Sequence, residues 1–248
     1  MNAVIADNLH TILSTLPPGV RLVAVSKIKP PEDILEAYSA GQRLFGENYA
    51  TELRDKQPQL PTDIEWHFIG HLQSKQLKYY IPFVSMIHGV DSLEHLADVD
   101  AAARKVGRTV DVLLQVHVAQ EETKFGFSPS ELESLANLDN LANLGNLEHL
   151  ENPQILNSQF STLNSVRICG LMGMASNTTD TARVRADFHA IRMLFERLKA
   201  GPFADRPEFK ELSMGMSHDY RIAIDEGSTL VRIGSSIFGP RDYSKIKN

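Results

Sequence analysis

Three stretches of this chain carry residue types that can do chemistry. The first is "VAVSK" (Val23 to Lys27), an apolar run that ends in a lysine. A lysine above an apolar wall loses hydration of its charged form, its pKa falls, and neutral amine becomes available near pH 7. A neutral amine attacks an aldehyde to give a Schiff base. The second is "SMGMSHDY" (Ser213 to Tyr220) and the third is "RIGSS" (Arg232 to Ser236). Gly215 permits an unusual turn, and the spacing predicts Ser217 at a helix N-cap with Asp219 in the first turn. Gly234 lets backbone approach an anion, and Ser235 and Ser236 add hydroxyl and N–H donors, a set suited to phosphate. Taken one at a time, these features also read as a surface lysine and as ordinary capping.

The elements that must bring these stretches together follow from the hydrophobic pattern. A helix with Val4, Ile5, Leu9, Ile12, Leu13 and Leu16 on one stripe comes first. Eight short apolar runs follow, beginning with "RLVAVS" and ending with "TLVRIGSSIFG", most of them leading into a helix-like stretch. Strands alternating with helices imply a parallel sheet, and near-continuous apolar strands imply burial on both faces. Eight such units predict a single (β/α)₈ TIM barrel, with an open doubly wound sheet as the alternative. In such a barrel the site lies at the C-terminal ends of the strands. That places Lys27, Asn48 of "GENY", His71, Gln73, Asp91, "MGMSHD" and "RIGSS" at the mouth. Closure puts the first strand beside the last, so the lysine and the phosphate donors meet. The combination suits a ligand with both an aldehyde and a phosphate: pyridoxal 5′-phosphate (PLP) is one, a sugar phosphate another.

One segment breaks the rhythm. Leu135, Leu138, Leu141, Leu144, Leu147 and Leu150 recur every third residue amid asparagines. A strict three-residue period drifts around a helix, so about residues 136–165 read as a low-complexity insertion in a barrel spanning 1–248. The 42% hydrophobic and 23% charged residues fit a soluble globular chain, and a net charge of −6 argues against a nucleic-acid binder. The single cysteine, Cys169, precludes an internal disulfide and reads as a core residue, which fits a reducing, cytoplasmic setting. The N-terminus lacks signal-peptide character, and no run is apolar enough to span a membrane. His67 and His71 have no third ligand at metal spacing, so no metal is expected.

Six ordered blocks, "VAVSK", "FGENY", "WHFIGHLQSK", "GLMGMAS", "LSMGMSHDYRIAI" and "GSTLVRIGSSIFG", resemble the YggS/PROSC family of pyridoxal phosphate homeostasis proteins. That family is similar to the N-terminal barrel of alanine racemase, a fold-type III PLP protein. The resemblance runs from about Leu22 to Gly239. It implies PLP as cofactor, held as a Schiff base on Lys27, with Met216, Ser217, Gly234 and Ser235 in the blocks that hold its phosphate. Arg232 matches the racemase arginine that faces the pyridine nitrogen. Asn48 and His71 are implied to line the pocket. The chain departs from the family at Lys75 and Gln76 in "HLQSKQ", and at Gly173, where threonine or a similar small residue is common.

The resemblance implies a non-catalytic protein of intracellular PLP (vitamin B6) homeostasis, with PLP-dependent apoenzymes as possible recipients and no catalytic residues. A PLP-dependent, racemase-like enzyme is the alternative. The chain ends just past strand eight, without the second β domain from which alanine racemase draws a tyrosine across its dimer interface. A monomer is therefore expected, and a two-base racemase would lack one base.

Overall fold

The computed structural model describes residues 3–118, 125–137 and 163–241. Eight parallel strands close into one barrel in sequence order. They are β1 (Arg21–Val25), β2 (Leu44–Glu47), β3 (Glu65–Phe68), β4 (Met86–Val90), β5 (Val110–Val116), β6 (Val166–Gly173), β7 (Glu211–Ser213) and β8 (Leu230–Ile233). Closure is carried by β8 on β1, with Arg21 opposite Leu230 and Ala24 opposite Ile233. The TIM-barrel expectation holds and the open sheet does not. Most of the predicted insertion, residues 138–162, lies outside the described residues.

Among the described residues the α-helices are α1 (Ala3–Leu13), α2 (Pro31–Ser39), α3 (Ala50–Lys56), α4 (Leu93–Lys105), α5 (Pro129–Asn137), α6 (Thr181–Ala200), α7 (Tyr220–Asp225) and α8 (Ser235–Phe238). Their ends follow local chemistry. Proline opens α2, where its missing N–H costs nothing. Ser92 caps α4 by accepting from His95 N, and Asp180 caps α6 by accepting from Ala182 N and Arg183 N. The third crossover differs from the helix expected there. Ser74–Tyr79 forms a 3₁₀ helix without a side-chain cap and buries only Leu77, so it has no apolar stripe to sustain an α-helix. No helix among the described residues is long and apolar enough to cross a membrane.

Side chains alternate along each strand, which divides the core in two. Leu22, Ala24 and Phe45 face the helices and join the large outer core, together with Trp66, Phe68 and Phe188. Val23, Met86, Leu113, Cys169, Met172 and Leu230 fill the barrel interior. The β5–β6 ladder pairs Val112 with Ile168 and then Leu113 with Gly170, leaving Cys169 as a bulged extra residue. Burial pushes the Cys169 thiol up to about 12, which leaves it inert, as a core residue should be.

Gly170 makes the bulge possible. Its φ is 151°, and a Cβ there would lie 1.8 Å from the Glu211 carbonyl oxygen on β7. Gly170→Ala is expected to destabilise the fold by about 2–4 kcal/mol, through both strain and backbone collision. Gly107→Ala is the control, because Gly107 has φ 65° and open space around its Cβ position. It should cost only about 1–2 kcal/mol. Urea midpoints followed by circular dichroism check the pair, and equal losses would contradict the collision.

Candidate functional site

The inward series on β1 runs Arg21, Val23, Val25, and the next residue in step is Lys27, which enters the cavity at the barrel mouth. The outward series ends in Ser26, so strand alternation aims the lysine at the mouth. The chain then turns sharply. Lys29 N donates to Ser26 O at 3.1 Å, and Ile28 adopts φ 62°. That left-handed conformation costs a β-branched residue roughly 1–2 kcal/mol, so something must hold it.

What holds it is a buried charge cluster on the outer side of the barrel wall. Glu52 Oε1 accepts from Ile28 N at 2.6 Å and from Lys56 Nζ at 2.6 Å. Lys56 Nζ also donates to Ser26 O and to Glu47 Oε1, both at 2.8 Å, so each of its three hydrogens has an acceptor. Ser26 Oγ donates to Glu47 Oε1 at 2.7 Å. Glu47 is fully buried, and burial pushes its carboxyl up to about 7 against the pull of Lys56. Lys29 Nζ ties the same turn to the C-terminal segment through the carbonyls of Phe238 and Pro240.

The mouth cavity has a volume of about 240 Å³. Lys27, Asn48, Met216, Ser217, Arg232, Gly234 and Ser235 all line it, together with His218 of the "MGMSHD" stretch, Met174 just after β6, and Ile69 and Arg241, the two that the sequence did not single out. His71 is not in the lining. The inward series on β3 runs Glu65, His67, Ile69, so Ile69 takes the mouth position; His71 lies beyond Gly70, beside Asp91 Oδ2 at 3.4 Å and stacked on Phe125. Burial lowers the Lys27 pKa, Arg241 lowers it further, and Glu47 and Glu52 oppose.

The phosphate-type donors also converge. Ser217 Oγ accepts from Gly234 N at 3.3 Å, joining the two loops. Ser217 is not the helix cap expected from its spacing. Asp219 takes the cap position of α7, and its carboxylate accepts from Met216 N at 2.5 Å, which holds the Met216–Asp219 turn ahead of the helix. Gly234 has no room for a side chain: a Cβ would meet Arg241 Nη2 at 2.3 Å and Val25 O at 2.8 Å. The N–H groups of Ser235 and Ser236 open α8 and have no intrahelical acceptor. Arg232 is buried, and burial lowers its pKa to about 10, so it stays a cation at neutral pH. Gly173 also has a reason to be glycine, since Ile191 Cδ1 would lie 2.3 Å from a Cβ there.

The alanine racemase N-terminal domain family matches residues 2–242. The pyridoxal phosphate homeostasis protein of Bos taurus is 41% identical over 235 residues, covering 91% of this chain and 78% of that protein. This chain belongs to the pyridoxal phosphate homeostasis protein family. The Pasteurella multocida homeostasis protein is 38% identical over 233 residues, covering 92% of this chain and 89% of its own. The solved structure of PipY from Synechococcus elongatus with PLP bound has a TM-score of 0.78 and 36% identity, covering 95% of this chain and 100% of that one. Alanine racemase from Clostridium difficile, at TM-score 0.69 and 15% identity over 95% of this chain and 55% of that one, shares the fold.

Two outcomes follow for this homeostasis-family site. Lys56→Met removes the cation from a buried pair and leaves Glu47 and the Ile28 turn without it. A loss of about 3–5 kcal/mol in urea unfolding is expected, and a loss below about 1 kcal/mol would contradict the cluster's role. The second concerns pH. Glu47 keeps a proton in the fold that the unfolded chain loses above the ordinary carboxyl value of 4.5, so its contribution to stability declines as pH rises from about 4.5 to 7. Burial lowers the His67 pKa to about 3, so the unfolded chain binds a proton there that the fold does not, and stability is lost as pH falls below 6.5. The two oppose each other between pH 4.5 and 6.5. Glu47→Gln should therefore make stability rise more steeply with pH in that window, by up to about 1.4 kcal/mol per pH unit. Urea titrations at stepped pH measure this slope, and an unchanged slope would contradict the raised carboxyl.

Proposed function

We propose that the mouth cavity holds PLP, with Lys27 Nζ as the attachment amine, and that this chain serves intracellular PLP homeostasis by binding and releasing the cofactor. The observation that carries the reading is the cavity itself. A partly desolvated lysine and a set of anion donors, Ser217, Ser235 and Arg241, open into the same space of about 240 Å³. When bound, PLP supplies an aldehyde for condensation with an amine, a phosphate and a pyridine ring.

The chain's own residues divide those parts among them. Gly234 leaves backbone close to the phosphate position because a side chain there would collide with Val25 O and Arg241. Ser217 and the N–H groups of Ser235 and Ser236 supply uncharged donors, and Arg241 supplies a cation. Arg241 also disfavours protonation of Lys27, which keeps amine available for attachment. Arg232 would face the ring nitrogen. A guanidinium donates and cannot accept, so a nitrogen facing it stays unprotonated and the ring withdraws electrons weakly. That arrangement is compatible with holding the cofactor without turning over an amino acid. PLP-dependent apoenzymes are the recipients this role calls for.

Purified protein incubated with PLP should be yellow. Borohydride reduction followed by peptide mass spectrometry should place the adduct on Lys27, and Lys27→Ala should lose the visible band. An adduct on Lys29 or Lys75 instead, or a protein that stays colourless with PLP, would overturn the assignment.

A further inference from the structure

We propose that His67, His88 and Ser213 form a hydrogen-bond chain of fixed direction through the barrel interior, and that the chain positions Arg232 in the mouth pocket. The proposal rests on the PLP reading only for what Arg232 then does. The chain itself stands on the geometry of the interior.

The interior is mostly apolar, lined by Val23, Leu113, Met172 and Leu230. Through it runs a line of polar side chains. Arg232 Nη1 donates to Ser213 Oγ at 2.6 Å and to Ser213 O at 2.8 Å. Ser213 Oγ lies 3.0 Å from His88 Nδ1, and His88 Nε2 lies 2.9 Å from His67 Nδ1. Ser213 and His88 are fully buried, and His67 is 2% exposed. His67 also lines a second cavity of about 340 Å³ at the opposite end of the barrel, beside Glu65, Asp111 and Glu211. The line therefore reaches from one end of the barrel to the other.

Its direction is set at the arginine. A guanidinium only donates, so Ser213 Oγ must accept from it. The serine hydrogen then needs an acceptor of its own, and His88 Nδ1 is the remaining partner among the described residues. His88 Nδ1 therefore carries the lone pair, and its Nε2 carries the hydrogen. Nε2–H donates to His67 Nδ1, and the His67 hydrogen sits on its own Nε2. The opposite direction leaves the serine hydrogen without an acceptor in a dry site, which costs about 1–3 kcal/mol. Both rings must be neutral for the line to close, and burial holds both pKa values below the ordinary histidine value.

The output of this line is the orientation of one side chain. Two Nη1 hydrogens go to Ser213, and Nη2 gives one to Gly173 O at 3.1 Å. Nε–H and the second Nη2–H remain for the pocket. Without the histidines, Ser213 Oγ would be free to turn, and Arg232 would keep the carbonyls of Ser213 and Gly173 but lose the third acceptor, which tightens its plane. His67, His88 and Ser213 are thus positioning residues that act through Arg232.

Two measurements test this. The first needs no PLP: ¹⁵N-histidine spectra of the wild-type protein at pH 7 should show His67 and His88 as neutral Nε2–H tautomers. The Arg232 Nη1 hydrogens should exchange slowly, and Ser213→Ala should speed that exchange while the protein stays folded. An Nδ1–H tautomer or an imidazolium at His88, or unchanged Arg232 exchange in Ser213→Ala, overturns the proposal. The second is a mutant cycle on PLP release. His88→Leu and Ser213→Ala should each speed release on the order of 3- to 10-fold in the wild-type background and add little to Arg232→Gln. Equal effects in both backgrounds would mean a merely structural role and overturn the proposal. A wild-type protein that takes up no PLP would sink the cofactor reading, and the spectra would still decide the chain.

Discussion

The pairing of β8 on β1 is the constraint on which the rest depends. Leu230 to Ile233 run alongside Arg21 to Ala24, so the residues that follow each strand emerge side by side. Val25 O comes so close to Gly234 that only a glycine fits. Lys27 and the anion donors are at least 190 residues apart in sequence, yet they share one cavity because the sheet has no edge there. Two further ties reinforce the join: Lys29 on the carbonyls of Phe238 and Pro240, and Asn8 Nδ2 on Ile237 O. Both secure the C-terminal segment that carries Arg241 into the pocket.

Two buried polar systems serve this pocket from opposite sides of the wall. Outside, Lys56 gathers Glu47, Glu52 and the Ser26 carbonyl and fixes the turn that presents Lys27. Inside, Ser213 and two histidines meet Arg232 from below. Each system buries groups that an apolar core would do without, and desolvation makes both expensive. They survive because their members are mutually satisfied, apart from Glu47 Oε2, which has no partner among the described residues. The outer system acts on a backbone conformation, and the inner one on a side-chain plane. The pocket between them receives two basic side chains, Lys27 and Arg232, whose positions are set by different means.

The sequence exposed what depends on local pattern. Strand–helix alternation gave the barrel, and strand ends gave Lys27, Asn48, Ser217, Arg232, Gly234 and Ser235. Met216 came with its block. What stayed hidden depends on pairing between distant elements. Glu47 and Lys56 looked like unrelated charges, and His88 with Ser213, 125 residues apart, had no signal at all. Arg241 lies past the last strand, where periodicity says nothing. His71 misled because it follows β3 closely. His71 is in step with Ile69, so alternation alone does not separate them; the β2–β3 register does, because Glu47 lies opposite Phe68 and so brings Ile69 level with Asn48. Ser217 misled because serine is a common cap, whereas Asp219 holds that position and stabilises the preceding turn through its carboxylate.

Because side chains alternate along β1, the lysine's aim is a matter of parity. Inserting one residue between Val20 and Lys27 would turn the amine outward into the layer where Ser26 meets Glu47, and bring a neighbour to the mouth instead. Inserting two would restore the aim but lift the amine by about 6.6 Å, clear of the loops it must work with. Deletions face the same rule. The loops of this barrel can change length one residue at a time, but its first strand cannot.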